Sequence, residues 1–181
     1  MSSQIPRLST EQMPAELASF LAPRVKRLGY LGEFFQCAAH QPEALLSFLE
    51  FTEHLKHALP NNLTEVVVLS VAVMMNNDYE RVQHERLCIK LGFSQEWLDA
   101  VLSLVDHREV LTIEEQRVQE LTTAMIERGG RNTTAEFEAT IAVIGASRAI
   151  AILMLVGRYL SHALIVNTLN LAPPQKTATP V

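Results

Sequence analysis

The chain has 181 residues, 48% of them hydrophobic, which is enough apolar material for one domain with a real core and argues against two. A formal net charge of -5 with no cluster of lysine or arginine excludes a nucleic-acid-binding face and points to small-molecule chemistry. The two cysteines, Cys37 and Cys88, lie far apart and outside any metal-type spacing, so neither a disulfide framework nor a zinc site is expected, and a reducing cytoplasm is the expected setting.

The N-terminal stretch MSSQIPRLSTEQMPAELASFLAP places prolines and polar residues where a secretory leader needs an unbroken apolar run, so no export signal is expected and the first residues read as peripheral. Pro14 opens a helix and Pro23 marks its end. A segment around Glu33 to His40 follows, and Pro42 is then placed as the first residue of a helix whose Leu45, Leu46, Phe48, Leu49 and Leu55 form an apolar face. Asn62-Leu-Thr-Glu65 has the form of a capping box. The helix it opens, Val66 to Met75, is apolar all round except for Ser70, and must be covered on every side.

After Asn76 and Asn77 an amphipathic helix runs to Gly92. At 100° per residue its inner stripe carries Asn77, Glu80, Arg81, His84, Leu87, Cys88 and Leu91, with Asp78, Tyr79, Val82, Glu85 and Arg86 opposite. Glu80 and His84 are one turn apart on a stripe that otherwise belongs against a core, where an unpaired polar group costs several kcal/mol. They either satisfy each other as an i,i+4 pair or form part of a site.

The later elements are conventionally punctuated. Ser94 precedes QEWLDAVLSL, Thr112-Ile-Glu-Glu115 and Thr133-Thr-Ala-Glu136 are capping boxes, and Gly129 and Gly130 separate the helices they open. Ile141 to Val166 is strongly apolar, but Arg148 and Arg158 bracket too short a run to meet the ~20 residues a bilayer requires, so a buried helix is expected and no membrane association. The tail APPQKTATPV has no apolar period and reads as surface-draped. The sum is an all-α, single-domain multi-helix bundle of about eight helices with no internal repeat.

The residues Glu65, Asn77, Glu80 and His84, followed by GFS at Gly92 to Ser94, resemble the signature of the carboxymuconolactone decarboxylase and alkylhydroperoxidase D-like family: a glutamate in an apolar helix, then Cys-x-x-Cys-x-x-x-His opening the next. Here the two cysteine positions are Asn77 and Glu80. The run from Gly157-Arg-Tyr159-Leu-Ser-His162 through Asn167-Thr-Leu-Asn170 is similar to the longer members, with Leu160 replacing their usual asparagine. The resemblance implies the family's helical fold and a trimeric or hexameric assembly, which would also help to cover the apolar helix.

Thiol peroxidase chemistry needs a low-pKa thiolate and a resolving partner, which Asn77 and Glu80 cannot supply. A glutamate four residues before the histidine resembles instead the decarboxylase branch. That implies a cofactor-free lyase acting on a small carboxylated lactone or related anionic carbonyl compound, with His84 as general acid or base and Glu80 as its orienting partner. Glu65 is a second proton relay or only a helix cap, Asn77 a hydrogen-bond donor to substrate, and Tyr159, with Arg148 and Arg158, part of a late helix closing over an anionic ligand. No metal is expected: His54 and His57 read as solvated surface residues, and Cys37 and Cys88 as buried, inert thiols. Two alternatives remain open, a non-catalytic oligomeric ligand-binding or structural protein, and an acid–base isomerase or hydrolase on the same scaffold.

Overall fold

The computed structural model describes residues 5–106 and 108–173, and among them the secondary structure is entirely helical. Nine α-helices follow in order: α1 (Ala15–Leu28), α2 (Glu33–Ala38), α3 (Pro42–Ala58), α4 (Asn61–Met74), α5 (Asp78–Leu91), α6 (Gln95–Ser103), α7 (Ile113–Glu127), α8 (Thr134–Ile144) and α9 (Ala146–Thr168), with short 3-10 turns at Thr10–Gln12 and Arg108–Val110. The expected C-terminal tail lies, beyond Pro173, outside the described residues.

Helix α4 is the axis of the bundle, packed against α5, α6, α7 and α9. Every residue from Leu63 to Ala72 is buried within the single chain. Its all-apolar surface therefore needs no second subunit to cover it, and the coverage of α4 gives no reason for assembly. Around α4 lies the larger hydrophobic core, including Leu69, Leu98, Leu121, Ile152 and Leu155. A second core, built on Leu17, Leu21, Phe34, Leu45 and Leu49, joins α1, α2 and α3 to the end of α9. Tyr79 belongs to both, so the seam between the cores runs past the start of α5.

Several local expectations are corrected. Pro23 lies inside α1 rather than at its end, and the helix stops at Gly29, whose φ of 80° is the left-handed conformation glycine adopts without strain. Residues before Met13 are less peripheral than expected: Leu8 N donates to Gln36 O at 3.1 Å, a His40 ring nitrogen meets Pro6 O at 2.9 Å, and Met13 is buried. The apolar run 141–166 is two helices, split at Gly145 (φ 80°, ψ 160°). Nor do its arginines shorten α9, which by length and composition is apolar enough to cross a bilayer; 56% of its most apolar 18-residue window is buried in the protein, as a core helix would be. Thr133, at ψ 14° rather than the extended conformation of a cap, makes no side-chain cap, and Glu136 pairs with Arg128 (2.9 Å).

The signals at Ser94 and Thr112 hold. Ser94 Oγ accepts from Trp97 N, and Thr112 and Glu115 form a reciprocal capping box. Buried Glu115 does more than cap: its Oε1 also accepts from Trp97 Nε1 at 3.1 Å and from Asn62 Nδ2 at 2.9 Å, tying α6 and α4 to α7.

Candidate functional site

The turn between α4 and α5 sets the geometry. Asn77 N donates to Ala72 O (2.8 Å) and Asn76 N to Val73 O (3.1 Å), a Schellman closure with Asn76 at φ 50° in place of the usual glycine. Asn77 then caps α5, its Oδ1 accepting from Glu80 N at 3.2 Å. The amide oxygen of this expected substrate contact thus holds the start of the site helix. The consequence is that α5 folds back along α4 with Glu80, His84 and Cys88 turned inward; Leu91 is exposed, and Tyr79 is buried despite its opposite phase.

Glu65 does not cap α4. The helix begins two residues earlier than that box requires, after Pro60, and Asn62 is engaged with Glu115, so Glu65 sits in the second turn facing α5. There its Oε2 accepts from His84 Nδ1 at 2.6 Å. The other ring nitrogen, Nε2, contacts Glu80 Oε2 at 3.0 Å, so the histidine is held between carboxylates on two helices. A ring that donates on both sides is an imidazolium. Burial opposes its charge, but the Glu65 carboxylate prevails and the His84 pKa is raised to about 10. At neutral pH the His84 ring therefore carries its second proton.

Sequence reasoning gave no role to His162 on α9. Its Nε2 lies 3.2 Å from Glu80 Oε1, so Glu80 stands between two imidazoles. Burial first, then the charges of Arg158 and His84, lower the His162 pKa to about 4, leaving it neutral with an unpartnered Nδ1. Burial pushes the Glu80 carboxyl up, yet His162 and His84 hold it well below the usual carboxylate range. A signal was present: Arg158, Tyr159 and His162 interrupt a long apolar helix at a spacing that places 158 and 162 one turn apart.

Tyr159 meets the His84 ring edge-on, centroids 5.7 Å apart. Arg158 is buried, its Nε donating to Thr52 Oγ1 on α3 at 2.8 Å and its guanidinium lying over the rings of Phe48 (4.7 Å) and Tyr159 (4.1 Å). Arg148 is exposed and takes no part. Cys88 Sγ donates to Glu65 Oε2 at 3.7 Å, and burial together with that carboxylate drives its pKa far above the usual thiol value. Cys37 is buried in the second core, its thiol also pushed up by burial. His54 and His57 are exposed, and among the described residues no group of three or more His, Cys, Asp and Glu side chains is arranged to hold a metal ion.

No family model matches this sequence, and no curated protein matches it. Solved structures do. An uncharacterized peroxidase-related protein from Ralstonia eutropha JMP134, described as an alkylhydroperoxidase AhpD core, superposes with a TM-score of 0.80 at 16% identity, covering 94% of this chain and 92% of that one. A protein of unknown function from Agrobacterium tumefaciens, provisionally described as an antioxidant defence protein AhpD, gives 0.67 at 16% identity over 77% of this chain and 96% of its own. The bundle built around Glu65, Glu80 and His84 therefore has the alkylhydroperoxidase AhpD fold.

Proposed function

We propose that the protein is a cofactor-independent acid–base enzyme of the carboxymuconolactone decarboxylase type, a lyase acting on a small carboxylated lactone or related anionic carbonyl compound. The observation that carries this reading is His84, doubly held by Glu65 Oε2 and Glu80 Oε2 in a buried setting. A substrate whose carboxyl is already ionised needs no base to lose CO2. The C–C bond to the carboxylate breaks, its electron pair passes into the adjacent carbonyl system as an enolate, and that carbon then takes a proton. His84 supplies it, from Nε2, whose contact with Glu80 is the longer of the two. Glu65 keeps the Nδ1 proton and fixes the ring, so the roles expected for the two glutamates are exchanged. Thiol peroxidation has no support in the raised pKa values of Cys37 and Cys88, although the structural neighbours are described as peroxidase-related.

The test is CO2 release from a panel of small carboxylated lactones and β-keto acids. His84→Gln should keep the fold and lower turnover ~100-fold or more, the usual contribution of a general acid, with Glu80→Gln losing less. Full turnover in His84→Gln on a confirmed substrate would make the cluster structural. One observation favours a second reading, ligand binding without turnover: Glu65, Glu80 and His84 satisfy one another completely. That reading expects no CO2 release from any member of the panel that binds.

A further inference from the structure

A pocket of about 570 Å³ opens between α2, α3 and the C-terminal end of α9. Its size falls within the range of small-molecule sites, and its wall is almost wholly carbon, including Phe34, Leu45, Phe48, Leu164 and Ile165. Two of these rings separate it from the polar cluster. Phe34 packs on His162 with centroids 4.1 Å apart, and Phe48 lies under the Arg158 guanidinium.

Behind those rings the hydrogen-bond shell of the Arg158 guanidinium is incomplete. Arg158 is 8% exposed and its Nη1 has no hydrogen-bond partner. Among the described residues no carboxylate pairs with it; Glu80, whose charge it feels, gives its oxygens to His84 and His162. A guanidinium taken out of water with one threonine and two aromatic faces for company is costly unless an anion completes its shell. The neighbouring His162 Nδ1 is equally unpartnered.

Phe34 and Phe48 meet there with ring centroids 6.2 Å apart. We propose that this pocket binds the apolar body of a monocarboxylate whose carboxylate displaces that ring contact to become the counter-ion of Arg158. The proposal rests on the acid–base reading for the chemistry after binding, since it names that reaction's substrate class, but binding itself is independent of turnover. Neither half of the ligand suffices. The pocket gives an alkyl or aryl group its burial, and Arg158 gives the carboxylate a bidentate partner where water is scarce.

The experiment is isothermal titration calorimetry on the full chain with octanoate as probe, and octanol and acetate as controls. Octanoate should bind at least ~10-fold more tightly than either control. Ala44→Trp, which fills the pocket from an exposed position of α3, and Arg158→Gln should each weaken octanoate ~10-fold or more, with far-UV circular dichroism confirming the fold. Equal affinity for octanol and octanoate would overturn the role of Arg158 without recourse to any variant. Octanoate binding unchanged in Ala44→Trp, or absent from the folded wild type, would overturn the pocket. His84→Gln keeps the two ideas apart: it should retain octanoate affinity while losing turnover. Retained turnover there sinks the acid–base reading alone, and failed octanoate binding in the active wild type sinks the pocket alone.

Discussion

Glu65→Gln removes one negative charge from beside His84 while keeping the side chain's size, and its cost can be worked from the geometry. The His84 pKa stands at about 10 against 6.5 for a free imidazole. That difference of about 3.5 units corresponds to roughly 5 kcal/mol of preference for the charged ring at 1.36 kcal/mol per unit, shared between Glu65 and Glu80. Because the folded pKa is raised, this stabilisation is complete below pH 6.5 and is lost progressively as pH rises through about 10. Breaking the 2.6 Å contact should cost about 3 to 5 kcal/mol at pH 6, as removal of one partner from a buried pair usually does. The assay is urea unfolding of wild type and Glu65→Gln at pH 6, 8 and 10.5, with the His84 ring followed by NMR. The gap between the two proteins should shrink as the pH approaches and passes 10. A gap below ~1 kcal/mol at pH 6, or a wild-type His84 titrating near 6.5, would refute the reasoning.

Other outcomes depend on single contacts. His162 has its pKa lowered to about 4 by burial, so its contribution is whole above pH 6.5 and is lost as pH falls toward 4; His162→Gln should flatten that acid limb of the wild-type unfolding profile. Native Cys37 and Cys88 should resist an aromatic disulfide reagent at pH 8, and replacing both with Ser should leave turnover largely intact; prompt reaction of either thiol would contradict their burial. A Cβ at Gly32 would lie 2.6 Å from Tyr79 Oη, so Gly32→Ala should destabilise by about 1 to 3 kcal/mol, and Tyr79→Phe should recover part of the loss in the double mutant. Glu115→Ala removes the acceptor shared by Thr112 N, Trp97 Nε1 and Asn62 Nδ2, and should lower stability by about 3 kcal/mol or more in chemical denaturation.

Residues alone revealed the features that depend on neighbours in sequence. The helices after Ser94 and Thr112 begin where their caps require, and α5 turns Glu80, His84 and Cys88 inward as a 3.6-residue period dictates. Periodicity gives a face but not its partner. The same Glu65 that sequence spacing makes a capping residue becomes the partner of His84 only because Pro60 starts the helix earlier and the Asn76 turn lays α5 back on α4. For the same reason the sequence assigns His162 no role, and Arg158 only a place on a late helix closing over an anionic ligand. Their partners, Glu80 and Thr52, stand on other helices, the second of them 106 residues away in sequence. Leu91 was misplaced because in the last turn of α5 only Cys88 reaches the core, and Ile89 and Leu91 are left exposed.

The pairing of Glu80 with His162 also gives a physical reason for a carboxylate where the resembling family carries a cysteine. A thiol can be buried neutral at little cost, whereas a carboxylate at the same position must find compensating charge or hydrogen-bond donors. Glu65 already engages one side of His84, so a second carboxylate on that ring alone would leave two negative charges against one positive. His162 relieves this with its Nε2 placed 3.2 Å from Glu80 Oε1, and Arg158, one turn away, adds a positive charge without a direct ion pair. Glu65, Glu80, His84 and Arg158 then sum to zero with His84 protonated. The balance holds only while His84 keeps its proton: on its loss the cluster carries one excess negative charge, which draws a proton back to the ring. The arrangement that makes Glu80 tolerable in the core is therefore the same one that keeps the His84 ring charged.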